Sequence, residues 1–156
     1  ILILNNLTFV SLTLYPFFGM LVYYQTFSLK VFYMSIFIFL ILLLIDILKD
    51  MLTKNEDKLF GYTTIPNFYG NKFCKRLIIT NMIFIFLISL LIIQKIGMNH
   101  VMSYYFALGL FLLIFCIYFL QINSKYNKFL TLNLIRFWLF LGILSMLLDG
   151  IITKFS

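Results

Sequence analysis

Five apolar runs, at residues 3–24, 31–48, 77–94, 101–121 and 129–148, restrict what this chain can fold into more than any other feature. Each is about 18–22 residues long, enough at 1.5 Å per helical residue to cross the hydrocarbon core of a bilayer. In lipid every backbone polar group needs an internal partner, so runs of this length predict α-helices. Barrel strands would be about 9–11 residues long, with alternating polarity. The expected fold is therefore all-α: a multi-pass transmembrane bundle of about five helices, forming one domain over residues 1–156. Composition agrees. The chain is 63% hydrophobic and 11% charged, with a mean hydropathy of +1.07, whereas soluble domains are about 45–50% apolar and about 25% charged. Pro16 and Gly19 fall inside the first run, where proline predicts a kink rather than an end.

The connections between the runs are unequal. Residues 25–30, 95–100 and 122–128 are short links between antiparallel neighbours. The link at 49–76 is long, and it contains Gly, Pro and Tyr rather than low-complexity polar sequence, which predicts an ordered functional loop. Alternation of the helices puts 49–76 and 122–128 on one side, with Lys49, Lys54, Lys58, Lys72, Lys75, Arg76, Lys125 and Lys128. The other side has Lys30, Lys95 and Lys154. The positive-inside rule then places the long loop in the cytoplasm, in a cell inner or plasma membrane, with residue 1 near that face and Ser156 near the outer one. The net charge of +7 reports this topology and does not call for nucleic acid. The partners expected from composition are membrane lipids.

Four of the five acidic residues lie between 46 and 57: Asp46, Asp50, Glu56 and Asp57. Asp46 and Asp50 are spaced i, i+4, so a helix continuing through them presents both carboxylates on one face. Such a pair at a membrane boundary calls for a compensating cation. Mg²⁺ fits, because it takes oxygen ligands and is commonly held by one or two carboxylates plus phosphate oxygens. Asp57 would supply a third carboxylate by returning after a turn. Lys49, Lys54, Lys58, Lys75 and Arg76 would act as cations toward a diphosphate. Other polar residues cluster at the same helix ends: Asn5 and Asn6, Thr80 and Asn81, Asn133 and Arg136. Of these, Asn81, Asn133 and Arg136 are candidate neighbours in a shared cavity, since polar groups at membrane depth tend to face the bundle interior. A solvated, positively charged loop with interfacial side chains is the competing reading.

The run D-x-x-K-D-x6-D-K-x-x-G-x-x-T-x-P-x-x-x-G, carried by Asp46, Lys49, Asp50, Asp57, Lys58, Gly61, Thr64, Pro66 and Gly70, resembles the second aspartate-rich motif of the UbiA superfamily of membrane prenyltransferases. It is most similar to the digeranylgeranylglyceryl phosphate synthase-like branch and is compatible with aromatic-acceptor members. The resemblance implies that the five helices are the C-terminal portion of a nine-helix fold, whose N-terminal half carries a first motif of the form N/D-x-x-x-D. It implies transfer of a prenyl group from an isoprenyl diphosphate to a lipophilic acceptor, a prenylglyceryl phosphate or an aromatic ring. By that resemblance Asp46, Asp50 and Asp57 hold Mg²⁺ through the diphosphate, the basic residues bind the diphosphate, and Gly61, Thr64, Pro66 and Gly70 shape the loop. The isoprenoid tail would lie in an apolar groove, with Tyr62, Phe68 and Tyr69 the nearest rings able to face an allylic cation. The chain departs from the pattern where it has Thr53 and Asn55 in place of further acids. With one acid cluster, and Asp149 alone at the opposite side, the isolated chain is expected to be inactive.

A non-enzymatic reading stands beside this one: a multi-pass membrane subunit whose acidic loop binds a partner or a cation. An aqueous channel fits poorly, since no filter-like run or repeated intramembrane charge is present. Cys116 reads as a small core residue and Cys74, beside Lys75 and Arg76, as an incidental thiol. His100 has no ligand partner at zinc spacing. Tyr23, Tyr24, Tyr104 and Tyr105 read as an interfacial belt on the outer side.

Overall fold

A computed structural model describes the chain except residues 1, 24, 26, 27, 97–99, 123 and 156, and except the side chains of residues 2, 20, 96 and 153–155. Tyr24 of the expected belt, and residues 1 and 156 used for orientation, lie outside the described residues, as does the Lys154 side chain. Five helices follow one another: α1 (Leu2–Tyr23), α2 (Leu29–Leu59), α3 (Ile65–Ile96), α4 (Val101–Gln121) and α5 (Lys125–Phe155). All five are long and apolar enough to cross a membrane, and among the described residues there is no strand.

α2 packs on α3, α3 on α4, α4 on α5, and α5 back on α2, so these four close into a ring; α1 lies outside it, chiefly against α2. The ring is apolar inside. α2 buries Phe37, Ile41, Leu44, Ile47, Leu48 and Met51, and α4 buries Met102, Phe106, Gly109, Leu113, Cys116 and Leu120. These follow the three- and four-residue spacing that keeps one helix face toward its neighbours. At the junction of α2, α4 and α5, the Phe37 ring meets Phe106 at 4.9 Å and Trp138 at 5.3 Å, both edge-on. A Cβ added at Gly109 would overlap the Trp138 indole, so glycine is what lets α4 and α5 approach here. Tyr105 belongs to this cluster, 9% exposed and 5.8 Å from Trp138. That removes it from the expected belt, in which Tyr23 and Tyr104 are indeed exposed. Cys74 and Cys116 are both buried core residues.

The extent of the second connection differs from the sequence expectation. Residues 49–76 are not a loop. α2 continues to Leu59 and α3 begins at Ile65, leaving a turn of residues 60–64. A helix of this length reaches about 46 Å, well beyond the roughly 30 Å hydrocarbon core, so charge inside it marks emergence from the apolar layer and not the end of the helix. Nothing in 46–59 breaks a helix; Leu, Met, Lys and Glu favour it, and Asp50–Lys54 is a favourable i, i+4 pair. α2 stops at Gly61, whose φ of +73° is the left-handed cap. Gly61 N–H donates to the Lys58 carbonyl (3.3 Å) and Tyr62 N–H to that of Asp57 (2.8 Å); this bonding pattern satisfies the last carbonyls of a helix. Pro66 then sits in the first turn of α3, where its missing N–H does no harm. Gly70, at φ +80° and ψ 165°, breaks α3 into a short leading segment and the long remainder.

The two connections expected on one side of the bundle do share an end: Lys75 Nζ donates to the carbonyl of Gln121, the last residue of α4 (3.3 Å). At the other end Asp149 is not alone. Its Oδ1 accepts from Val101 N–H (3.1 Å), and its Oδ2 lies 3.4 Å from His100 Nδ1. The carboxylate thereby caps the start of α4 from the far end of α5.

Candidate functional site

The acid pair is built by two helices. On α2, Asp46 and Asp50 stand one turn apart, both half-buried. From α1, the Asn6 amide Nδ2 donates to Asp46 Oδ2 at 2.7 Å and reaches Asp50 Oδ2 at 3.2 Å. One neutral amide therefore draws together two carboxylates that would otherwise repel each other. Lys49 adds a favourable charge toward both acids without reaching ion-pair distance. Asn6 was legible only as a polar residue in an apolar first turn; its role needs a contact across forty positions.

Asp57 does not join the pair. With the helix unbroken, it lies seven residues past Asp50 on the same stripe, about 10 Å further along the axis. There it accepts from the Thr53 hydroxyl at 2.9 Å. Thr53 thus stands between the acid pair and Asp57 on one helical face. Among the described residues, no group of three or more His, Cys, Asp or Glu side chains is close enough to hold a metal by itself. The pair alone offers hard oxygen donors of the kind that suits Mg²⁺ sharing its coordination with water and phosphate, and does not suit zinc.

A groove of about 480 Å³ runs between α1, α2 and α3; Asn6 lines it, whereas Asp46 and Asp50 do not. Its walls are mostly apolar, with Leu40, Leu43, Ile47, Phe73 and Phe84 among them; its polar members are Asn6, Arg76, Thr80 and Asn81. Asn6 thus belongs to both the acid pair and the groove. Asn81 is 5% exposed, and its amide donates to the Leu40 carbonyl at 2.9 Å, fixing α3 against α2 along this wall.

The remaining sequence candidates separate. Lys75 and Arg76 are neighbours in sequence but point about 100° apart around α3. Arg76 lines the groove, whereas Lys75 lines a different pocket facing α4 and α5. Lys54 and Lys58 lie beside the turn at 60–64, in a shallow pocket with Gly61, Tyr62, Asn67 and Phe68. Lys54 Nζ also donates to Asn71 Oδ1 at 3.0 Å. Thr64 and Asn67 each keep one buried oxygen without a partner at this turn. Asn133 and Arg136 are exposed on α5 and do not line the groove that contains Asn81, so the shared cavity expected for the three is not formed. Tyr62, Phe68 and Tyr69 are exposed and absent from the groove wall; Phe73 and Phe84 are the rings that line it.

No protein-family model, curated protein or solved structure matches this chain.

Proposed function

We propose that this chain is the C-terminal part of a UbiA-like membrane prenyltransferase, contributing the second of two diphosphate–Mg²⁺ motifs. One observation carries the reading: Asn6, which clamps the carboxylate pair, also lines an apolar groove that contains a guanidinium. A prenyl diphosphate has this same division, a doubly phosphorylated head on an apolar tail. In this reading the tail lies along Leu40, Leu43, Ile47, Phe73 and Phe84. Asp46 and Asp50 would hold Mg²⁺, Asn6 sets the separation of their carboxylates, and Arg76 would donate to phosphate oxygens from the groove wall. Bound Mg²⁺ would neutralise the charge of the departing diphosphate. The groove excludes water from the carbon that loses the diphosphate and is then attacked by a lipophilic acceptor. Phe73, about one turn from Arg76, replaces Tyr62, Phe68 and Tyr69 as the groove ring nearest the diphosphate end; Phe84, about 16 Å further along α3, would meet the tail. Asp57, Lys54 and Lys58 stand further out, on the stretch of α2 approaching the turn, which the excess of basic residues assigns to the cytoplasm.

The test is binding. The chain in lipid nanodiscs is titrated with a geranylgeranyl thiolodiphosphate, with and without Mg²⁺. Binding should require Mg²⁺ and weaken roughly 10- to 100-fold in the Asp46→Asn/Asp50→Asn double variant. Equal binding in chelator, or by the double variant, would reject the assignment. Mg²⁺ uptake through the same acids without any diphosphate dependence would favour the cation-binding subunit instead. The chain alone should show no prenyl transfer, because its one acid pair supplies one of the two motifs the reaction uses.

A further inference from the structure

A second polar cavity lies on the other side of α3 from the groove. It measures about 230 Å³ and is lined by Met51, Asn71, Lys72, Lys75, Ile78, Leu120 and Lys128. Four helices contribute to it, at the lysine-rich end of the bundle. Its floor is apolar, from Met51, Ile78 and Leu120, and its polar groups are three ammonium groups and one amide.

Lys72 is exposed at the pocket rim, whereas Lys75 and Lys128 are half-buried. Lys75 is tethered by its bond to the Gln121 carbonyl (3.3 Å), and Lys54 by its bond to Asn71 on the pocket wall (3.0 Å). Lys128 arrives from α5 and experiences the positive charge of both Lys75 and Lys54. Among the described residues none of these lysines forms an ion pair with a carboxylate; the one such pair is His100–Asp149 at the opposite end. No α2 acid lines the pocket: Asp46 and Asp50 turn to Asn6 on α1, Asp57 accepts from Thr53, Glu56 lines a separate pocket with Lys125, and Met51 is the α2 residue that faces this one. Like charges gathered around a small partly apolar cavity repel one another unless an anion completes them.

We propose that this pocket binds a phosphate-bearing anion through Lys72, Lys75 and Lys128, with Lys54 reinforcing its field. Ammonium groups are point cations with three rotatable donors each, suited to the oxygens of a phosphate. Basic pockets between membrane helices hold anionic lipid headgroups in this way, and the apolar floor would accept the first carbons of such a lipid. A free phosphate offers the same oxygens. The pocket meets α2 at Met51 while the acid pair faces Asn6 on α1, and the proposal does not rest on prenyl transfer.

The test uses the full chain, purified in detergent, with native mass spectrometry reading retained lipid. Equal amounts of phosphatidylglycerol and phosphatidylcholine are added, and inorganic phosphate is then titrated against a chloride control of matched ionic strength. Phosphatidylglycerol should be retained preferentially, and retention should fall on the order of tenfold to a hundredfold in K72Q/K75Q/K128Q. It should remain in K30Q/K95Q/K125Q, which removes equal charge from exposed positions outside the pocket. Displacement by phosphate beyond the chloride control identifies the free anion as a competing ligand; retention unmoved by phosphate identifies the lipid headgroup. The charge-keeping K72R/K75R/K128R variant must retain the lipid, which separates loss of charge from loss of fold. Equal loss in the two glutamine variants, or no preference for phosphatidylglycerol and no phosphate effect in the unaltered chain, overturns the proposal.

Discussion

Replacing Asn6 by Ala tests how the acid pair is held. The Asn6 amide makes one short contact to Asp46 and a longer one to Asp50. A hydrogen bond to a charged group contributes about 1.5–3 kcal/mol. The 2.7 Å contact to Asp46 should fall within that range. The 3.2 Å contact to Asp50 should fall below it, and partial exposure of all three side chains reduces both. The loss should therefore be about 2–3 kcal/mol, part of it repulsion between two carboxylates that no longer share a donor. Reversible unfolding of the chain in mixed detergent micelles measures it. A double-mutant cycle with Asp46→Asn and Asp50→Asn isolates the coupling, which should reach about 1 kcal/mol or more for Asp46 and less for Asp50. Asn6→Asp should be worse than Asn6→Ala, because it adds a third carboxylate to the pair. Additivity within about 0.3–0.5 kcal/mol in both cycles would refute the clamp. So would an Asn6→Asp variant as stable as the unaltered chain.

Two glycines give a matched comparison of strain and overlap. Gly61→Ala meets no atom within 4 Å, so only its left-handed φ resists the change, and unfolding should show a loss of about 1–2 kcal/mol. Gly109→Ala keeps helical geometry but drives a methyl into the Trp138 indole; an overpacking loss of about 1–3 kcal/mol should come with a shifted Trp138 fluorescence maximum, which Gly61→Ala leaves in place. Asp149→Ala should cost α4 its cap, about 1 kcal/mol, read by faster amide exchange at Val101 and Met102 while residues 46–57 are unchanged.

The apolar runs made the fold class legible because lipid leaves so few solutions for a backbone. Five helices are expected and five are present among the described residues. Their limits were less legible. Ending the second helix at Leu48 equates the edge of the hydrocarbon with the edge of the helix. Charged side chains do not stop a helix that has left the membrane; Gly61 does, and its signature was present within a motif that had been assigned to loop geometry. Tyr105 was misplaced for a related reason. Its exposed neighbour Tyr104 has the same chemistry, and only the rotation of α4 decides which ring meets Trp138.

Local spacing along one helix was what the sequence determined about the candidate site. It put Asp46 and Asp50 on one face, because i, i+4 residues share a face in any helix. Relations between helices belonged to the tertiary structure. It brought Asn6 to the pair and set Arg76 and Lys75, about 100° apart on α3, against different neighbours. It also gathered Lys72 and Lys128, read from sequence only as topological charge, with Lys75, read there as a diphosphate cation, around one cavity. The physical reason is common to all three. A helix fixes the angle between its own residues to about 100° per step, but which neighbour that angle faces depends on packing among side chains far apart in the chain.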